Sequence, residues 1–141
     1  METTQKTVIT IEATVKAPVE KIWKYWSEPQ HITKWAFASE DWHAPAAEND
    51  LRTGGKFSTT MAAKDGSFSF EFGGVYDKVE LHKTINYTIG DGRKVKVSFL
   101  SEGNDTKIVQ SFEAEEQNSI DMQRGGWQAI LNNFRKYTEN N

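Results

Sequence analysis

From Thr7 to Lys16 apolar and polar side chains alternate. Ile9, Ile11, Ala13 and Val15 face one way and Thr10, Glu12 and Thr14 the other, the period of a strand buried on one face. Ala17-Pro18 ends this strand, and Pro18 suits the first turn of a helix. Val19, Ile22, Trp23 and Trp26 then recur at helical spacing, which predicts an amphipathic helix of about two to three turns. Glu28-Pro29 breaks it and opens a second short helix with Ile32 and Trp35 as its inward pair. Residues 40–55 are the least regular part. Trp42 and Ala44 fit a strand, but Pro45 confines it to an edge or a loop. Glu48, Asn49 and Asp50 read as a turn closed by Gly54-Gly55.

Strands then follow in quick succession. Phe57, Thr59, Met61 and Ala63 alternate with polar neighbours, Asp65-Gly66 signals a hairpin, and Phe68, Phe70 and Phe72 share the face opposite Ser67, Ser69 and Glu71. Gly73-Gly74 interrupts that pattern, which predicts a bulge or sharp bend before Val75 to Glu80 resume it. Ile85, Tyr87 and Ile89 mark the next strand, and Gly90-Asp91-Gly92 turns the chain into one carried by Val95, Val97 and Phe99. A second turn at Glu102-Gly103-Asn104-Asp105 leads to the last strand, Ile108 to Ala114. Short turns force antiparallel pairing.

Ser119 to Glu139 changes period. Ile120, Trp127, Ile130, Leu131, Phe134 and Tyr137 lie at helical spacing, Asn118 or Ser119 can cap the start, Asp121 suits the first turn, and Arg135 and Lys136 suit the last. Such a helix is about 30 Å long at about 1.5 Å per residue, enough to cross a small domain. The expected architecture is α+β. A curved seven-stranded antiparallel sheet wraps a long C-terminal helix, and two short helices follow the first strand. Residues 1–141 form one domain, with residues 1–6 polar and expected to be loose.

Composition narrows the function classes. The chain has 141 residues, enough for a sizeable core. Its net charge is -3 with lysines and arginines scattered, so nucleic acid is not an expected partner. There are no cysteines, which removes disulfides, thiolate catalysis and Cys-ligated zinc and fits a reducing cytoplasm. No basic-then-apolar leader and no spanning-length apolar run occur, so neither secretion nor membrane insertion is expected. Two Asn-x-Thr triplets, at Asn86 and Asn104, are then accidents of a short motif.

Candidate chemistry is sparse. His31, His43 and His82 lack metal-ligand spacing, and neither a Gly-x-Ser-x-Gly elbow nor a glycine-rich phosphate loop occurs. His43 lies near Glu48, Asp50 and Arg52; its plain reading is an exposed loop histidine, its functional one a polar group at a pocket mouth. As acid–base groups only His43 and Tyr87 come into question. Asp91-Gly92-Arg93 is turn chemistry; Arg93 belongs at the surface by default and otherwise faces a helix carboxylate or a ligand anion. Phe57, Met61, Phe68, Phe70, Phe72, Tyr87 and Phe99 look inward by alternation, as do Trp127, Ile130 and Leu131 from the helix. On pattern alone these fill a core, because packed interiors are the rule. Ile22, Trp23 and Trp26 read as a wedge against the sheet, whereas Trp35 and Phe37 stand where the chain leaves the helices and can line an opening. Gly125-Gly126 admits a close strand, a kink or room beside Trp127; equally, the helix starts or bends there for packing alone.

Several pieces together resemble the SRPBCC (START-like) superfamily of helix-grip fold, and within it the group related to the C-terminal domain of the activator of the heat-shock-protein-90 ATPase. They are Ala17-Pro18 with Val19, Ile22 and Trp23; Pro29 to Trp35; the run from Asp41 to Phe57; Phe72-Gly73-Gly74 with Tyr76; Asp91-Gly92-Arg93; and Met122 to Tyr137. The resemblance implies a cavity between helix and sheet that takes a small hydrophobic or amphipathic ligand: a lipid, sterol, polyketide or aromatic compound. The residues it would use are Trp35, Phe37, Trp42, His43, Phe57, Met61, Phe68, Phe70, Phe72, Tyr87, Phe99, Trp127, Ile130 and Leu131. No cofactor, metal or catalytic residue is implied. The alternatives are a co-chaperone-like domain that binds a chaperone or other protein, with a link to the stress response, and a cyclase or aromatase. The activator has a separate N-terminal domain for which this chain has no room. The expected state is a cytoplasmic monomer or weak homodimer.

Overall fold

The computed structural model describes residues 7–141; the expectation for residues 1–6 lies outside the described residues. The elements are β1 (Val8–Val15), α1 (Val19–Ser27), α2 (Pro29–Trp35), β2 (Trp42–Asn49), β3 (Lys56–Ala63), β4 (Ser69–Glu80), β5 (Thr84–Ile89), β6 (Lys94–Glu102), β7 (Asp105–Glu113) and α3 (Ile120–Asn140). The sheet order is β1-β7-β6-β5-β4-β3-β2, all antiparallel. It is the expected α+β helix-grip architecture: a curled half-barrel around a long C-terminal helix. β2 to β7 form a meander, and β1 joins β7 from Val8 opposite Glu113 to Val15 opposite Thr106. The first two strands in sequence therefore stand at opposite edges. The chain must cross from one edge to the other, and α1 and α2 make that crossing.

Alternation decides which side chains go inside. Ile85, Tyr87 and Ile89 of β5, Val95, Val97 and Phe99 of β6, and Ile108, Gln110 and Phe112 of β7 are buried, while their neighbours face outward. Pro45 has no N–H to give a ladder, and β2 is accordingly an edge strand whose register shifts between His43 and Ala46. The turn expected at Glu48 to Asp50 begins later. β2 stays paired through Asn49, opposite Phe57, and the turn occupies the residues after it.

The Gly73-Gly74 expectation needs correction. β4 runs through both glycines unbroken, and its irregularity falls between Tyr76 and Lys78. The glycines serve close approach instead. A Cβ on Gly73 would stand 2.7 Å from the Phe57 carbonyl oxygen, and one on Gly74 would stand 2.1 Å from that of Thr88. Neighbouring strands thus crowd β4 from both sides at these two positions.

Ser119 caps α3, accepting from the Met122 amide at 3.1 Å. The helix continues to Asn140, so Arg135 and Lys136 stop short of a last turn that contains no basic residue. Its far end is tied down: the Lys16 amide donates to Glu139 Oε2 at 2.9 Å, and Tyr25 Oη donates to the Asn141 carbonyl at 3.1 Å. Under it lies an aromatic cluster. Phe134, fully buried, meets Trp26 and Trp35 edge-on, each with ring centres 4.9 Å away, and Phe99 sits edge-on to both Trp23 and Trp26. Such edge-to-face contacts add to the stabilisation given by area burial alone.

Candidate functional site

α3 packs along β1 and against α1 and α2. The inner faces of β3, β4 and β5 curl away from it, and a cavity of about 300 Å³ lies between. Trp26, Ile32, Trp35 and Ala36 line it from the α1–α2 side, Phe57, Thr59, Met61, Phe70, Phe72, Tyr76 and Tyr87 from the sheet, and Trp127, Ile130 and Leu131 from α3. Arg93 and Gln110 complete the lining. The volume is at the lower end of ligand pockets, which run from about 300 to 1,000 Å³.

The aromatic walls are held by partners outside the space and by one another. Trp127 stacks on the buried Phe112 ring with centres 4.0 Å apart, and its edge meets Phe72 at 5.9 Å. Trp35 Nε1 donates to the Tyr25 carbonyl at 3.0 Å, which fixes its indole. Phe57 rests against both Tyr76 and Tyr87, 5.0 Å from each ring centre. Because these rings are anchored laterally, they do not need to collapse inward to find contacts.

A few polar groups interrupt the apolar lining. Tyr76 Oη donates to Asn49 Oδ1 at 2.5 Å, and Asn49 Nδ2 donates to the Ser27 carbonyl at 2.6 Å, which ties β4 to β2 and α1. Tyr87 hydrogen-bonds Gln110. Burial pushes both phenols well above their ordinary pKa; for Tyr76 the neighbouring Tyr87 phenol and Asp50 act in the same direction. Both are therefore neutral at physiological pH. Arg93 follows a turn that pairs it with its own loop: Nε donates to Asp91 Oδ2 at 2.8 Å, and Nη1 donates to the Glu113 carbonyl at 3.3 Å. It does not pair with a helix carboxylate in those contacts. On its far side is a more open cleft of about 310 Å³, lined by Glu115, Asn118, Met122, Gln123 and Gly126 and sharing Arg93 and Trp127 with the main cavity.

Among the described residues the main lining contains neither imidazole nor carboxylate, the groups a cyclase-type general base would use. Among the described residues no three His, Cys, Asp or Glu side chains gather as a metal site requires. No described helix is long and apolar enough to cross a membrane.

Of the residues expected to bind ligand, the cavity brings together Trp35, Phe57, Met61, Phe70, Phe72, Tyr87, Trp127, Ile130 and Leu131. Five stand elsewhere. Phe99 is buried beneath Trp23 and Trp26. Phe37 is half-buried just past α2, and His43 is exposed on the edge strand. Trp42 and Phe68 form an outer ridge with Phe70, and alternation misleads here: Phe68 and Phe70 are 59% and 42% exposed, because they lie beyond the reach of α3. The sequence reading missed Trp26, Ile32, Ala36, Thr59, Tyr76 and Gln110 as lining, and it placed Arg93 at the surface by default with a ligand anion as an alternative. Thr59 shared the alternating set of Phe57 and Met61, and Tyr76 follows from extending the Phe72 face through Gly74. Gln110, a polar residue at an inward position of β7, was the detectable signal of a polar spot.

Residues 16–139 match the family model described as Activator of Hsp90 ATPase homolog 1-like protein. Among solved structures, the AHSA1-like protein from Aeromonas hydrophila is 40% identical with a TM-score of 0.90, over 95% of this chain and 93% of that one. Chr148 from Cytophaga hutchinsonii is 62% identical with a TM-score of 0.81, over 94% of this chain and 92% of that one. NE0264 from Nitrosomonas europaea, at 18% identity, a TM-score of 0.81 and 94% coverage of each chain, shares the fold. No curated protein matches the chain. The fold is the SRPBCC fold, which commonly binds hydrophobic ligands.

Proposed function

For a chain that belongs to the Activator of Hsp90 ATPase homolog 1-like family, we propose that the function is to bind a small hydrophobic or amphipathic molecule between α3 and the inner faces of β3, β4 and β5. One observation carries the reading: an unfilled space of about 300 Å³ persists among aromatic rings that are anchored from outside it. Burying apolar ligand surface there yields about 25 cal/mol per Å² before association costs. The protein acts as a monomeric or weakly dimeric binder in the cytoplasm, without inserting into membranes. Native mass spectrometry of freshly purified protein, followed by gentle denaturation, tests this. A defined hydrophobic compound near one per chain is expected, and Thr59→Phe, which drives a ring into the space, is expected to exclude it. Apo protein that also takes up no hydrophobic probe refutes the reading.

A second reading, binding of a chaperone or another protein, draws on the exposed ridge of Trp42, Phe68 and Phe70 together with the family's description. A pulldown without chaperone and an ATPase assay without stimulation would remove it.

A further inference from the structure

We propose that the ligand is an amphipathic carboxylate whose apolar body fills the main cavity and whose head is held by Arg93, at the junction of the cavity and the outer cleft. This rests on the cavity reading above. At about 30 Å³ per water-sized group, a space of about 300 Å³ takes a body and head of about ten non-hydrogen atoms.

Among the described residues Arg93 is the single charged one in the main lining; every other polar group there is a neutral hydroxyl, phenol, amide or indole. Three of those neutral groups are engaged with protein partners, Tyr76 with Asn49, and Tyr87 and Gln110 with each other. The arginine is also the polar side chain common to both spaces. Its loop fixes its aim. Asp91 Oδ1 accepts from the Arg93 amide at 3.1 Å, Asp91 Oδ2 accepts from Nε, and the Glu113 carbonyl accepts from Nη1. The Arg93 side chain is left 21% exposed, against 53% for Asp91, so the counter-charge lies on the solvent side. A guanidinium presents five N–H donors in a planar fork that matches a carboxylate.

The surrounding charges place the head on the cavity side. Glu115 lines only the outer cleft, where its carboxylate accepts from the Asn118 amide at 2.6 Å and disfavours a second anion. The Glu113 carboxylate accepts from the Lys94 amide at 2.7 Å. Among the described residues no carboxylate lines the cavity beside the guanidinium. An anion there has a pre-aimed partner in a partly dry setting, where charge-assisted hydrogen bonds are strong.

The test is calorimetric titration of the full chain at neutral pH with octanoate, octan-1-ol, octanamide and octylammonium. The tails are alike and only the heads differ. Octanoate is expected to bind about tenfold or more tighter than the alcohol or amide, with the ammonium weakest. Arg93→Gln is expected to bring octanoate down to the level of octan-1-ol, abolishing that preference, and Arg93→Lys to retain part of it. If alcohol and acid bind equally well and Arg93→Gln alters neither, the carboxylate assignment falls and the cavity reading stands. Binding of none of the four overturns both. Should Arg93→Gln fail to fold, the wild-type series and Arg93→Lys still decide.

Discussion

Replacing Gly125 and Gly126 by alanine is expected to stabilise the protein, although both lie within its principal helix. A methyl at either position would meet nothing within 4 Å outside the helix's own backbone and its chain neighbours, so no steric term opposes the change. Neither glycine has a positive φ. What remains is the entropy of holding glycine helical, about 0.5–1 kcal/mol per site. The pair should therefore contribute about 1–2 kcal/mol. Unfolding entropy of about 2.1 cal/mol/K per residue gives about 0.3 kcal/mol/K for the 141-residue chain, so each kcal/mol raises Tm by about 3 °C. Differential scanning calorimetry should show the double variant melting about 3–6 °C higher. A lower Tm for the double variant would refute the reasoning, because it would mean that the turn is not helical or that its flank is not open.

Two further outcomes follow from burial. Phe134→Ala should cost about 3–5 kcal/mol, because Phe134 is fully buried among Trp26 and Trp35; half-buried Phe72, already beside a void, should cost no more than about half that on the same change, as read by urea denaturation. Stability should also decline at alkaline pH. Tyr76 and Tyr87 hold their protons in the native state to higher pH than in the unfolded chain, so above about pH 10 the unfolded state binds fewer protons and is favoured. Melting temperature should be insensitive to these two groups below that pH and fall above it, and Tyr87→Phe should flatten the fall.

The architecture was legible because it rests on periodicity. Ile9 to Val15, Val95 to Phe99 and Ile85 to Ile89 repeat at two, Val19 to Trp26 and Trp127 to Phe134 repeat at helical spacing, and both periods are consequences of backbone geometry. The site was less legible. Alternation gives the direction of a side chain and not what covers it, which is why Phe68, Phe70 and Phe72 share a face yet differ so much in exposure. The glycines of β4 announced something unusual, but the pattern could not separate a bulge from a close approach of Phe57 and Thr88 backbone. Arg93 looked like turn chemistry because its turn bonds are local; its position on the cavity depends on the pairing of β5, β6 and β7, which no window of sequence contains.

The hollow itself follows from topology. β1 is the first strand and pairs with the last, β7, so α3 leaves the sheet from its β1 side and lies along that strand. Gln128 Nε2 donates to the Glu12 carbonyl at 3.2 Å and holds it there. The sheet meanwhile curls away through five more strands to β2. To close the gap, either α3 must cross to β3 and β4 or side chains must span it. Trp127 spans farthest, touching Phe72, yet its stacking on Phe112 ties it to the β7 side. Closing the space from α3 would mean breaking that stack and the Gln128 bond; closing it from the sheet would mean shifting β4 where its glycines already stand against the Phe57 and Thr88 carbonyls. The cavity is thus maintained by bonds made outside it, and a ligand that fills it gains contacts without having to displace any of them.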